Sequence, residues 1–152
     1  MRDFIKQFTE KNILDLNCVM QLRSDFFLVS EGLKETLSST KHVPSFIGIA
    51  LGKKKKNFVP STYLLSKIAD ATESKVIVNK QGAWLFICGR HLYGRSVVSF
   101  NKSQKINDSV LVMNEFNECL GYGKVINPLD SKKVVVQNLF DIGDFVRRER
   151  KK

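Results

Sequence analysis

Residues 75–100, KVIVNKQGAWLFICGRHLYGRSVVSF, carry the reading on which the fold turns. The stretch opens on KVIVN, a β-branched run of strand length. GAWLFIC, residues 82–88, is apolar throughout and too short for periodicity to decide between helix and strand. Residues 91–93 and 96–100 read as two short strands around Gly94. Downstream, SVLVMN (109–114) and residues 118–126 predict a hairpin, with Asn114 to Asn117 at its turn. KVVVQN (133–138) predicts a further strand, and a short helix is expected over 141–149. Many short strands joined by polar turns suit a small mixed barrel.

Upstream the pattern is mixed α/β. Phe4, Ile5 and Phe8 predict an amphipathic helix within 2–11. Residues 18–22 and 26–29 form a hairpin-like pair whose turn lacks glycine. Ser30 stands at an N-cap position before Glu31, with a helix expected to follow. Residues 38–45 are loop, and FIGIAL (46–51) reads as a buried-type strand. Lys53 to Lys56 follow as a charged turn, with Phe58-Val59 returning. Pro60 and Ser61 open a helix over 62–71 that turns Leu64, Leu65 and Ile68 inward. The division is expected between 1–73 and 74–152. No flexible linker separates the halves, so they are expected to pack together.

The chain has 152 residues and 43% apolar composition, enough to build a core without staples. No apolar run reaches membrane-spanning length, and Met1-Arg2-Asp3 does not begin a signal-peptide core. Cys18, Cys88 and Cys119 are odd in number and lack CxxC spacing, which argues against a disulfide framework or zinc site and suits a reducing compartment.

Charge points to a partner. The net charge is +10 and unevenly placed. Residues 1–73 carry 11 basic and 8 acidic side chains, whereas 74–152 carry 14 and 7. A basic excess in one half suits a polyanion as well as a plain solvated surface. Arg147-Arg148-Glu149-Arg150-Lys151-Lys152 is its densest cluster. Arginine forks bind phosphate bidentately and stack on bases, while cations at a helix C-terminus also answer its dipole.

Signals for catalysis are weak. Gly48 to Lys54 superficially suggests a phosphate loop, but only three residues separate its glycines, and Lys54 stands where a hydroxyl residue should hold magnesium. His42 and His91 belong to no metal or nucleophile motif, and the proximity of His91 to Cys88 in sequence does not establish a dyad. Glu115 and Glu118 flank a turn and need no acid–base role. No catalytic residue, cofactor or metal is expected.

The segment order over 75–125 resembles a PUA domain, the module named after pseudouridine synthases and archaeosine transglycosylases. Gly82, Gly89, Gly94, Gly121 and Gly123 fit its glycine places. The resemblance implies that 82–88 is helical. DIGDFVRRE (141–149), with SEGL (30–33) and GIALGKKKKNF (48–58), narrows it to the Nip-seven family of ribosome-biogenesis proteins. It implies an α+β fold: a small N-terminal α/β domain packed on a C-terminal mostly-β PUA pseudo-barrel. It also implies a non-catalytic factor that contacts single-stranded, uridine-rich pre-ribosomal RNA during large-subunit assembly. Other assembly proteins are implied as partners of the N-terminal domain, and no membrane. The compact length suits the archaeal branch or a reduced eukaryotic genome, with a cytoplasmic or a nucleolar and nuclear location respectively.

The RNA-contact candidates are Arg90, Arg95, Arg147, Arg148, Arg150 and Lys151, with Lys53, Lys54, Lys55 and Lys56 as weaker ones. Gly89 and Gly94 are read as letting a ribose-phosphate chain approach, and Tyr93 or Tyr122 as stacking a base. Arg147 and Arg148 are expected to be exposed. A protein adaptor, with RNA contact incidental, stands as the alternative.

Overall fold

The computed structural model describes residues 1–40, 44–101, 104–144 and 147. His42 lies outside them, as do Arg148, Arg150 and Lys151.

The first sheet is an antiparallel meander of β1 (Val19–Leu22), β2 (Asp25–Leu28), β3 (Ile49–Lys54) and β4 (Phe58–Pro60). The β1–β2 turn manages without glycine because Arg23 takes the left-handed conformation, at φ 52°. Side chains alternate across β2. Phe26 packs into one hydrophobic cluster, and Phe27 into another with Val29 and Ile47. α2 (Glu31–Ser39) contributes Leu37 to that second, smaller cluster.

α3 (Thr62–Ala71) starts where Ser61 Oγ accepts from the Leu64 N–H at 3.1 Å, a cap worth about 1 kcal/mol. Leu64, Leu65 and Ile68 are fully buried, and each contributes roughly 1.5–3 kcal/mol by leaving water. The expected helix over 2–11 is shorter, α1 (Arg2–Ile5), but still buries Phe4 and Ile5, and Phe8 follows them inward.

FIGIAL differs from its expectation as a buried strand. The strand begins only at Ile49 and runs through Lys54. Ile49 is exposed and Leu51 buried. An antiparallel sheet can leave one face wet, so the apolar run overstated burial.

The second sheet contains β5 (Lys75–Val78), β6 (Leu92–Tyr93), β7 (Val97–Phe100), β8 (Ser109–Met113), β9 (Cys119–Val125) and β10 (Val134–Asp141). Its order is β6-β10-β9-β8-β5-β7, with β5 and β8 parallel. The edge strands β6 and β7 are joined by only the short 3-10 turn Gly94–Ser96. So short a link draws the two edges together and curls the sheet into a nearly closed barrel. α4 (Lys80–Ile87) lies between β5 and β6. Asn79 Oδ1 caps it by accepting from the Gly82 N–H at 2.8 Å. Helix therefore settles the ambiguity of residues 82–88, and the α+β fold with a mostly-β pseudo-barrel in the C-terminal half is borne out.

The all-apolar β8 has a plain cause. Val110 and Val112 face the barrel core, while Leu111 and Met113 join the cluster built by α1 and α3. The strand is covered on both faces, and an uninterrupted apolar run is what that position needs. Tyr122 and Phe140 extend the same junction: the Phe4 ring is 5.1 Å from that of Tyr122, which stacks on Phe140 at 6.1 Å. Buried Thr72 ties the connecting segment down by donating from Oγ1 to the Phe8 carbonyl at 2.6 Å. Among the described residues no helix is long and apolar enough to cross a membrane.

The cysteines differ in reactivity. Burial pushes the Cys119 thiol up to about 11, while Cys88 is exposed. Since the thiolate is the nucleophile, brief alkylation of native protein at neutral pH should modify Cys88 and spare Cys119. Peptide mass spectrometry checks this; equal labelling would mean that the start of β9 opens readily.

Candidate nucleic-acid interface

α4 ends at a conformational break. Gly89 takes φ +83°, the left-handed geometry that terminates helices. Arg90 and His91 follow, both exposed, before β6. The last carbonyls of α4 are answered by side chains from the end of β10. Asn138 Nδ2 donates to Phe86 O at 2.8 Å and to Asp141 Oδ2 at 3.1 Å. Arg147 donates from Nη1 to Ile87 O.

Arg147 and Asp141 form a bidentate pair, with both N–O distances 2.8 Å. The Asp141 side chain is only 2% exposed and also accepts from the Gly143 N–H at 2.9 Å. Bonding to Asp141 holds the Arg147 guanidinium pKa above its usual value. Arg147 was expected to be exposed and available to RNA. Instead its side chain is 36% exposed, with both terminal nitrogens engaged within the chain. The burial of Asp141 explains this, because a carboxylate out of water needs a partner.

Arg90 and Arg95 are exposed. The Arg95 guanidinium lies 5.5 Å from the Tyr93 ring centroid, and Tyr93 is itself 45% exposed. Together they present a flat cation–π pair to solvent. Tyr122, the other tyrosine considered for stacking, is half-buried in the aromatic junction and borders a groove there.

Gly94 also departs from its reading. A Cβ there would fall on the Ser131 carbonyl oxygen, and the Gly94 N–H donates to Lys133 O at 3.0 Å. The close approach is to the chain's own loop, not a ligand. That contact brings the exposed Lys132 and Lys133 beside the Gly94–Arg95 turn. Sequence reasoning missed these two lysines. Their signal is the pairing of Tyr93 with Val134 across β6 and β10, which a linear reading does not supply.

Known proteins agree with this architecture. Residues 74–150 match the UPF0113 PUA domain family, about half of the chain. The chain belongs to that family. A UPF0113 protein of Archaeoglobus fulgidus is 28% identical over 113 residues, spanning 70% of this chain but only 64% of that relative. A conserved PUA domain protein from Thermoplasma acidophilum superposes with TM-score 0.62 at 15% identity, covering 97% of this chain and 89% of its own. A PUA domain from Aeropyrum pernix K1, solved as a tartrate complex, gives 0.63 at 14%, covering 99% and 86%. At such identities the structural likeness concerns the fold. The C-terminal half of this UPF0113 chain is thus a PUA domain, carried with an N-terminal sheet and helices.

Proposed function

We propose that this protein binds single-stranded RNA through its PUA half and acts, without catalysis, as an assembly factor on pre-ribosomal RNA of the large subunit. The observation that carries RNA binding is the exposed Tyr93–Arg95 pair with Lys132 and Lys133 folded beside it. Such a surface offers stacking and phosphate contacts together, the two interactions that hold unpaired strands. The ribosomal assignment, the uridine preference and the compartment rest on the Nip-seven resemblance. Arg90 adds a cation at the end of α4.

The test is titration of labelled oligouridine with wild type and an Arg90→Glu/Arg95→Glu double variant at two salt concentrations. Affinity should fall at least about tenfold at moderate salt, with a shallower salt slope. Both side chains are exposed, so circular dichroism should be unchanged. A folded variant that binds like wild type would move RNA off this surface.

A second reading, the protein adaptor, has one observation in its favour. The N-terminal half carries an open apolar groove of about 420 Å³ lined by Leu33, Leu37, Phe46 and Ile47, with Phe46 64% exposed. Absence of RNA binding by the wild type would put this reading first.

A further inference from the structure

The tip of the β3–β4 hairpin stands across from the C-terminal half, and a groove of about 430 Å³ runs between them. Its volume lies within the roughly 300–1,000 Å³ usual for small-ligand sites. On one side are Lys55, Lys56 and Asn57; on the other are Gly89 and the end of β10 with Arg147. The rings of Phe58, Tyr122 and Phe140 line it as well.

The hairpin divides its own lysine run. Lys53 pairs with Asp25 at 3.4 Å. Lys54 still belongs to β3, its N–H donating to Ser24 O at 2.7 Å. Lys55 and Lys56 lie beyond the strand, exposed, lining the groove, and have no acidic partner within salt-bridge distance among the described residues. On the opposite wall Arg147 pairs with Asp141, and Asp144 adds a second carboxylate to the lining. The positive charge of the groove outside the Arg147–Asp141 pair therefore sits at the hairpin tip. The aromatic rings are half-buried against the junction core, which holds them in place while they border the groove. A cationic rim over fixed aromatic surface suits a phosphate joined to a base.

We infer that this groove takes one nucleotide of the bound RNA strand, its phosphate at Lys55 and Lys56 and its base against Phe58 and Tyr122. The strand then crosses from the PUA half onto the N-terminal hairpin, and both halves share the binding site. This rests on the RNA-binding reading above and adds a site to it.

The experiment uses full-length protein and a labelled oligouridine at two salt concentrations. It compares Lys55→Ser/Lys56→Ser with Lys6→Ser/Lys11→Ser, a pair of exposed lysines outside the groove. Both variants lose the same charge, so only local contact separates them. The hairpin variant should bind about tenfold more weakly, with a salt slope shallower by roughly 1.4 for two lost phosphate contacts. The control should stay within about twofold. Photocrosslinking of wild type with 4-thiouridine oligomers should mark peptides holding Phe58 or Tyr122. Equal losses in the two variants, or crosslinks confined to peptides outside the groove, would overturn the inference and leave RNA binding standing. Absence of wild-type binding would overturn both.

Discussion

Asp141→Ala should lower folding stability by about 2–4 kcal/mol, because it removes the charge-assisted bonds of a buried carboxylate while the half-exposed Arg147 guanidinium it leaves behind is partly solvated. Asp141 is 2% exposed and accepts from both Arg147 terminal nitrogens, from the Gly143 N–H and from Asn138. Alanine strands the guanidinium beside the Ile87 carbonyl without its counter-ion, frees the 141–143 turn and removes one partner of Asn138. Three segments lose their common tie: the end of α4, the end of β10 and the residues that follow. For a chain of this length each kcal/mol lowers the midpoint by roughly 2–4 °C, so a drop of about 4–16 °C is expected. Asp141→Asn should fall between, because it keeps the shape and loses the charge. Calorimetry or thermal circular dichroism measures both. An alanine variant melting within about 2 °C of wild type would mean that water or a neighbouring group replaces the carboxylate.

The same contacts change what a charge reversal at Arg147 would report. Glutamate there would set two carboxylates against each other and should reduce stability before any RNA is added. Loss of RNA binding in such a variant would not locate the interface. Arg90 and Arg95, exposed and outside the Asp141 pair, are the informative positions.

What the sequence made legible was whatever local chemistry determines. Ser61 before an inward-facing Leu64, Leu65 and Ile68 marked α3, and the β-branched runs marked β5, β8 and β10. Residues 82–88 stayed undecided on periodicity alone, because a short helix packed on a barrel is apolar on most of its surface. The mistaken burial of 46–51 has the opposite cause: composition does not say which sheet face is covered. The site was less legible than the fold because it is assembled by tertiary contacts. Nothing near Arg147 in sequence says that Asp141 will be buried and claim it. Nothing near Lys55 says that the hairpin tip will face Gly89 across a groove, or that Lys53 will be taken by Asp25. Charge counting points to arginines and lysines but does not distinguish engaged cations from available ones.

Gly121→Ala should be comparably damaging, by about 2–6 kcal/mol, through steric overlap and backbone strain. Gly121 lies within β9, opposite Asp141 on one side and Val112 on the other. Its φ of +148° is one that side-chain-bearing residues rarely adopt, costing about 1–3 kcal/mol. A Cβ would also fall on the Phe140 carbonyl oxygen and lie 2.7 Å from the Asp141 Cα. Both are backbone atoms of the paired strand, so no rotamer change relieves them, and overpacking adds about 1–3 kcal/mol. The strands must separate at the point where Ile142 N donates to Leu120 O at 3.0 Å. Separation there would displace Asp141 from Arg147 and Tyr122 from its aromatic neighbours. Urea unfolding should show the loss as a lower midpoint, and hydrogen exchange should show the Ile142 amide losing protection before those of β5. If the β9–β10 pair can instead shift to absorb the methyl, Ile142 keeps its protection and the urea midpoint stays near that of wild type; that outcome would refute the steric argument.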